Sequence, residues 1–342
     1  MKALRWYAAK DVRYEDVPEP FPGPGQVKVK VNLAGICGTD LKEYVDGPSM
    51  IDVSKVPLTL GHEFAGRVVE VGEEVTEFEV GDRVTALGYW YCGECYFCKR
   101  GMYNICQDAG FTGLTSDGCM AAYVVVPGYA VYKLPDLVSD EAGALVEPLA
   151  VALHAVRRGN VHLGDTVGIV GDGTIGLCTL LAARLAGASK VYVVSKHKGK
   201  EAKAMAMGAT RVVNVNSGGP VELVKNLTGG LGADVVFECV GRPESAQLAV
   251  ELVRSGGTVV IVGVFDKPGS LDFQNVMFNE KSVIGSSIYT DEARVAIDLI
   301  NDGRLDPTAL ITSRVPLENA VESGFGQLIS NKDNIKILLE VP

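Results

Sequence analysis

Residues 34–66 hold three side chains able to bind a borderline cation: Cys37 in Gly-Ile-Cys-Gly-Thr-Asp, then His62 and Glu63 in Leu-Gly-His-Glu-Phe-Ala-Gly. A thiolate, an imidazole and a carboxylate are ligand types that zinc accepts, and three protein ligands leave a fourth position open for water or substrate. That is the pattern of a catalytic ion rather than a structural one. One Cys, one His and one Glu also fall this close in chains that bind no metal, where an isolated His is usually a hydrogen-bonded structural residue. Gly35, Gly38, Gly61 and Gly66 bracket the set, as expected where backbone turns tightly beside a bound ion or ligand.

A second set, Cys92-x2-Cys95-x2-Cys98-x7-Cys106, is more specific. Four thiolates at this spacing close a tetrahedral site around zinc with no open position, so this site reads as structural. The nearest rival is an iron–sulfur cluster, because C-x2-C-x2-C also begins a ferredoxin run. Here the fourth cysteine follows only after seven residues and precedes Gln107 rather than proline, which favours zinc. Two zinc ions per chain are therefore expected.

The third signal is Gly171-Asp172-Gly173-Thr174-Ile175-Gly176, a G-x-G-x-x-G. Alone it is weak, but a strand pattern at 166–170 precedes it and a long helical pattern follows, which is the context of a dinucleotide fingerprint. The glycines permit a tight turn and close approach of a pyrophosphate, and the helix N-terminus supplies amides and dipole. An open zinc site combined with a nicotinamide-type fold implies hydride transfer to or from a carbon bearing oxygen, with the metal as Lewis acid.

The elements that must position these residues change character along the chain. Residues 2–132 form short, Val-rich segments separated by Gly or Pro; Gln-Val-Lys-Val-Lys-Val-Asn at 26–32 alternates with period two, and 66–75 and 81–86 read as further strands. This half is expected to be a β-rich barrel or sandwich. An Ala/Leu/Val pattern at helical spacing fills 140–159, and a boundary belongs there. From residue 165 continuous apolar strands alternate with amphipathic helices, the mark of a parallel, doubly wound sheet in an α/β fold. The last segment, from about residue 290, ends in a strand-like Lys-Ile-Leu-Leu-Glu-Val and is expected to return to the first domain.

At 342 residues with 47% apolar content, the chain is long enough for two well-formed cores. A net charge of −10 argues against a nucleic-acid partner, and basic residues cluster only around 196–203. No apolar run approaches a bilayer span, and the chain enters a strand pattern at once, so a cytoplasmic protein with no membrane partner is expected. Four of the eight cysteines crowd into 92–106 and the rest are scattered, unlike a disulfide framework.

With these motifs the chain resembles the zinc-dependent medium-chain alcohol/polyol dehydrogenase family, in the branch of the 2,3-butanediol, sorbitol and threonine dehydrogenases. The likeness runs through GICGTD at 35–40, GHEFAG at 61–66, VGDRV at 80–84, the four-cysteine lobe, VEPLAVALHAV at 146–156 and GDGTIG at 171–176. It implies a GroES-like catalytic domain over 1–149 with a structural-zinc lobe at about 88–110, a Rossmann domain over 150–288, and a C-terminal segment, 289–342, completing the catalytic domain. It implies catalytic zinc ligands at Cys37, His62 and Glu63, with Glu147 at the fourth ligand position, where liver-type alcohol dehydrogenases carry Cys. Two carboxylates with Cys37 would over-neutralise a divalent ion, so Glu63 and Glu147 are not expected to bind it tightly together. Apart from the resemblance, Glu147 also reads as a helix-start carboxylate ahead of Pro148.

The resemblance also assigns Thr39 as the hydroxyl that takes the alcohol proton, although a turn residue bonding local backbone is its plainer reading. Many relatives carry His three residues further on, and this chain has Lys42, a poor proton acceptor near neutrality. Cofactor contacts are expected from Gly171, Gly173, Thr174, Ile175 and Gly176, and from Cys239, Val240, Gly263 and Val264 at the ends of later strands. In NAD-preferring relatives the second Rossmann strand ends in an acid that accepts the adenosine ribose hydroxyls. That place falls at Ser195, followed by Lys196-His197-Lys198, with no acid until Glu201. NADP(H) is therefore expected ahead of NAD(H), with Ser195 and Lys196 as main contacts and Lys198 or Lys200 assisting. A lysine run at a turn is otherwise merely solvated.

The substrate expected is a secondary alcohol or vicinal diol such as 2,3-butanediol, with acetoin-like ketones in reverse. A sugar-alcohol or L-threonine dehydrogenase is the alternative, and a silent cofactor-binding homologue the alternative of another class. A homo-oligomer, dimer or tetramer, is usual in lookalikes.

Overall fold

The computed structural model describes residues 1–216 and 218–342, with the side chain of Lys198 outside the described set. The chain divides into two compact units, Met1–Glu147 with Ala293–Pro342, and Pro148–Glu292. Among the described residues no helix is long and apolar enough to cross a membrane.

In the first unit the alternating segment becomes strand β1 (Gln26–Gly35), with Val27, Val29 and Val31 buried in the core. It pairs antiparallel with β2 (Glu63–Val71), Gly35 lying opposite Glu63. The strand expected at 66–75 starts earlier and stops at Val71, because the Gly72 N–H turns back to the Gln26 carbonyl and Glu74 adopts φ 72° in the left-handed region. Helix α1 (Gly38–Asp46) follows β1 directly.

The helical pattern at 140–159 is two helices, α2 (Asp140–Ala144) and α3 (Val146–Arg158), broken at Leu145. Pro148 has no N–H to give to the Ala144 carbonyl, so one continuous helix would lose a bond there.

The second unit is built on six parallel strands: β3 (Thr166–Val170), β4 (Lys190–Ser195), β5 (Arg211–Asn214), β6 (Ala233–Glu238), β7 (Val253–Ile261) and β8 (Ser282–Gly285). Their order across the sheet is β5-β4-β3-β6-β7-β8, which reverses direction beside β3. Ligands in such sheets bind outside the carboxyl ends of the strands at that switch point. Helix α4 (Thr174–Leu185) leaves the end of β3 and buries Leu177, Cys178, Leu180 and Ala183.

The chain then returns to the first unit as β9 (Ile311–Pro316) and β10 (Lys336–Glu340). Strand β10 runs antiparallel to β1, with Leu338 opposite Gly35. The end of β1 is therefore flanked by β2 on one side and β10 on the other.

Candidate active site

The register of β1 and β2 brings the exit of one strand to the entrance of the other. Cys37 leaves β1, His62 leads into β2, and a ligand atom from each lies with a Glu63 carboxylate oxygen in a set whose members are all within 4.8 Å of one another. Gly35 makes this possible: a Cβ there would sit 2.2 Å from Glu63 Oε2, so the carboxylate fills the space a side chain would take.

Helix α1 orients the thiolate. Cys37 is its N-cap; the Thr39 N–H donates to Cys37 Sγ at 3.5 Å, and Asp40 Oδ2 accepts from the Cys37 N–H at 2.9 Å. This reciprocal cap fixes the strand-to-helix corner. Thr39 thereby rides in the first turn beside the thiolate, and Lys42 follows one turn on along the same face.

Asp40 is fully buried, with its other oxygen 4.0 Å from His62 Nδ1, and among the described residues neither of those two atoms has a hydrogen-bond partner. Burial pushes the Asp40 carboxyl above its ordinary range. Burial alone would lower the His62 imidazole, but Cys37 and Asp40, with Glu147, outweigh it and raise it well above its usual value. Anions that hold a proton on an imidazole so firmly hold a metal cation in its place, because ligand protonation and metal binding compete. The donor set fits zinc.

Glu147, in the first turn of α3, is outside the mutually close set of three. A Cβ at Gly88 would lie 3.3 Å from His62 Cβ and 3.4 Å from Glu147 Oε1, so the carboxylate approaches His62 from the Gly88 side. Glu63 is met by Lys336 of β10. Its Nζ donates to Glu63 Oε2 and, at 2.9 Å, to the Ile36 carbonyl, and both charged side chains are 1% exposed. Lys336 bears on the charge problem: its ammonium offsets one of the four acidic side chains gathered here, Cys37, Asp40, Glu63 and Glu147, and so lessens the excess of negative charge that would surround a divalent ion.

The four-cysteine lobe is separate from this set. Cys92, Cys95, Cys98 and Cys106 present sulfurs within 4.8 Å of one another, with Cys92–Cys106 at 3.5 Å and Cys92–Cys98 and Cys95–Cys106 at 3.9 Å. A tetrahedron with Zn–S bonds of about 2.3 Å has sulfur–sulfur edges of about 3.8 Å. Backbone N–H groups of Cys92, Cys95 and Cys98 donate to sulfurs of Cys106, Cys92 and Cys95. The N–H of Cys98, with that of Gln107, pulls the Cys95 thiol down to about 6. All four cysteines are free thiols, a donor set that fits a closed zinc site.

In the second unit Gly171 adopts φ 115° and donates its N–H to the Val194 carbonyl at 3.0 Å, locking the turn against the end of β4. A Cβ at Gly176 would meet the Gly171 carbonyl at 2.1 Å, so α4 packs against the turn only through glycine. Gly173 caps α4, with Thr174 and Ile175 in its first turn. Those amides fit a pyrophosphate.

Val240 and Val264 are exposed beyond β6 and β7, whereas the Cys239 thiol turns toward α4, 4.0 Å from Thr179 Oγ1. Gly263 lies close against Glu238, whose Oε1 accepts from the Val240 and Gly241 N–H groups and from Ser245 Oγ. Ser195 ends β4 buried, and Lys196 is exposed beside it; the Lys198 side chain is outside the described residues. Lys200 is buried rather than facing solvent.

Sequence reasoning missed Asp40, Lys336, Asp172 and Glu238. Only Asp40 left a local trace, as an acid three residues after a helix-capping Cys37.

Residues 23–136 match the alcohol dehydrogenase GroES-like domain, and residues 174–302 match the zinc-binding dehydrogenase family. The chain is 39% identical to the (R,R)-butanediol dehydrogenase of Bacillus subtilis (strain 168), covering 99% of both chains. It is 35% identical to a sorbitol dehydrogenase of Halalkalibacterium halodurans, covering 95% of this chain and 94% of that one. Its fold superposes with TM-score 0.91 on a protein from Sinorhizobium meliloti 1021 solved with bound NADP, at 35% identity over 99% of this chain and 98% of that one. The chain belongs to the zinc-dependent alcohol dehydrogenase family, with a GroES-like unit and a Rossmann-type parallel sheet. It is an oxidoreductase acting on CH–OH donors.

Proposed function

We propose that the chain oxidises a secondary alcohol or vicinal diol of the 2,3-butanediol type and reduces the matching ketone, with NADP(H) preferred over NAD(H). The observation that carries the catalytic part is the convergence of Cys37, His62 and Glu63 within 4.8 Å around an anion-rich His62. Zinc held there, with Glu147 close by, supplies Lewis acidity that lowers the pKa of a substrate hydroxyl. The other site, Cys92, Cys95, Cys98 and Cys106, holds a structural zinc. Likeness to a butanediol dehydrogenase along the whole chain supports the diol. Sorbitol dehydrogenases at 33–36% identity support a polyol as the second substrate class. A turnover screen across secondary alcohols, vicinal diols and sugar alcohols decides between them, and activity confined to sugar alcohols rejects the diol.

Thr39 relays the proton of the substrate hydroxyl: Oγ1 accepts it as the threonine's own hydroxyl proton passes on toward solvent. Replacing Thr39 by Val keeps the shape and removes the hydroxyl, so kcat falls by roughly a hundredfold. A Thr39→Val enzyme within threefold of wild type would refute the relay.

The cofactor preference is supported by the absence of an acid at the end of β4 and by the exposed Lys196 beside Ser195. Removing that charge by Lys196→Ala costs about 1 to 3 kcal/mol in NADP(H) binding and leaves NAD(H) nearly untouched. Steady-state kinetics with both cofactors test this. Wild-type efficiency favouring NAD(H), or equal losses for both cofactors in the variant, overturns it.

A further inference from the structure

The turn at Gly171 brings to the end of β4 an acid that the strand itself lacks. Asp172 follows Gly171, whose N–H is bonded to Val194, and the Asp172 side chain reaches across to Ser195, the last residue of β4. Ser195 Oγ accepts from the His197 N–H at 3.0 Å and has two acceptors for its proton, Asp172 Oδ2 at 2.5 Å and the His197 carbonyl at 2.8 Å, of which the nearer, charged carboxylate is the stronger. A hydroxyl has one proton, so a serine that gives it to a carboxylate presents only lone pairs to a further acceptor. Asp172 and Ser195 are 8% and 2% exposed, so the pair is built into the corner.

We infer that Asp172 is a cofactor-selecting residue: its carboxylate, held by Ser195, accepts a hydroxyl of the adenosine ribose and opposes a 2′-phosphate. This rests on the reading of the second unit as a nicotinamide-cofactor domain and deepens the preference proposed above. In sheets of this kind the acid that recognises the ribose stands at the carboxyl end of the second strand. Here the same point in space is served from the neighbouring strand, through the second residue of the glycine turn. A ribose hydroxyl donates well to a carboxylate, whereas a phosphate brings acceptors and like charge. Lys196 and Asp172 therefore pull in opposite directions. Lys196, exposed, favours the phosphate; Asp172, buried, keeps NAD(H) a usable cofactor.

Asp172→Asn tests this, because the amide oxygen still accepts from Ser195 and the corner keeps its shape. Calorimetric titration of the wild type and the variant with 5′-AMP and with adenosine 2′,5′-bisphosphate reads the ribose corner directly, independent of metal or turnover. The expected result is a roughly tenfold weaker 5′-AMP affinity in the variant and an unchanged or tighter 2′,5′-bisphosphate affinity. In kinetics, the NADP(H)-to-NAD(H) ratio of kcat/KM rises by tenfold or more. Equal losses for the two nucleotides, or no change in either, overturn the inference and leave Asp172 a tether for Ser195. Asp172→Ser serves as the second variant should the amide disturb folding, with the same two nucleotides and the same expected direction. The wild-type ratio alone judges the NADP(H) preference. A wild type favouring NAD(H) whose Asp172→Asn variant shifts selectively rejects that preference and upholds Asp172.

Discussion

Replacing Cys37 by Ser is expected to lower turnover by at least about a thousandfold while leaving the protein folded. The sulfur is one of three donors in the open set, and a serine hydroxyl at neutral pH is not the anion that set requires. The Lewis acidity that a zinc held there would supply is worth several kcal/mol of transition-state stabilisation, and each 1.36 kcal/mol is a factor of ten in rate. Metal analysis should fall from two zinc ions per chain to one. Replacing Cys95 by Ser should do the reverse, removing the other zinc and lowering thermal stability, because a closed metal site contributes its binding energy to folding. Its sulfur accepts the Cys98 N–H and contacts Cys106, so its loss also unties the lobe's backbone. A Cys37→Ser enzyme with two zinc ions and activity within tenfold of wild type removes Cys37 from the catalytic site. Metal-replete wild type with one zinc ion, or with iron, rejects the two-zinc reading.

What was legible in the sequence divides by range. The four-cysteine spacing and the Gly171 to Gly176 turn are local patterns, each readable because one short segment supplies nearly all the chemistry. Strand β1 was equally plain, since Val27, Val29 and Val31 alternate toward the core. The helical spacing at 140–159 was legible but not its division into two helices, although Pro148, with Glu147 read as a helix-start carboxylate, carried the signal for the break at Leu145. Asp172 was overlooked for a different reason. β4 itself ends without an acid, while parallel pairing of β3 with β4 sets the turn after β3 beside that end. Lys336 had no sequence signal. It lies 273 residues from Glu63, and only the antiparallel pairing of β10 with β1 brings them together.

Replacing Lys336 by Met should destabilise the first unit by about 3–5 kcal/mol, the cost of leaving one member of a buried ion pair without its partner. Both members are 1% exposed, so water cannot take over from the lost ammonium, and the Ile36 carbonyl loses its donor as well. A double-mutant cycle separates the charge from the packing: Glu63→Gln in the Lys336→Met background removes the orphaned charge and should recover part of the loss. Both proteins are compared by urea denaturation after the same metal treatment, since zinc itself stabilises whatever state binds it. The functional expectation follows from the charge balance. Without Lys336 the acidic side chains around a divalent ion lose a compensating cation, the ion's pull on a substrate hydroxyl weakens, and the pH at which kcat rises should move upward. Lys336→Arg keeps the charge and should hold both stability and pH profile closer to wild type than Lys336→Met does. A loss below about 1 kcal/mol in Lys336→Met, the range of an exposed pair, would show that the contact with Glu63 does not anchor the metal site.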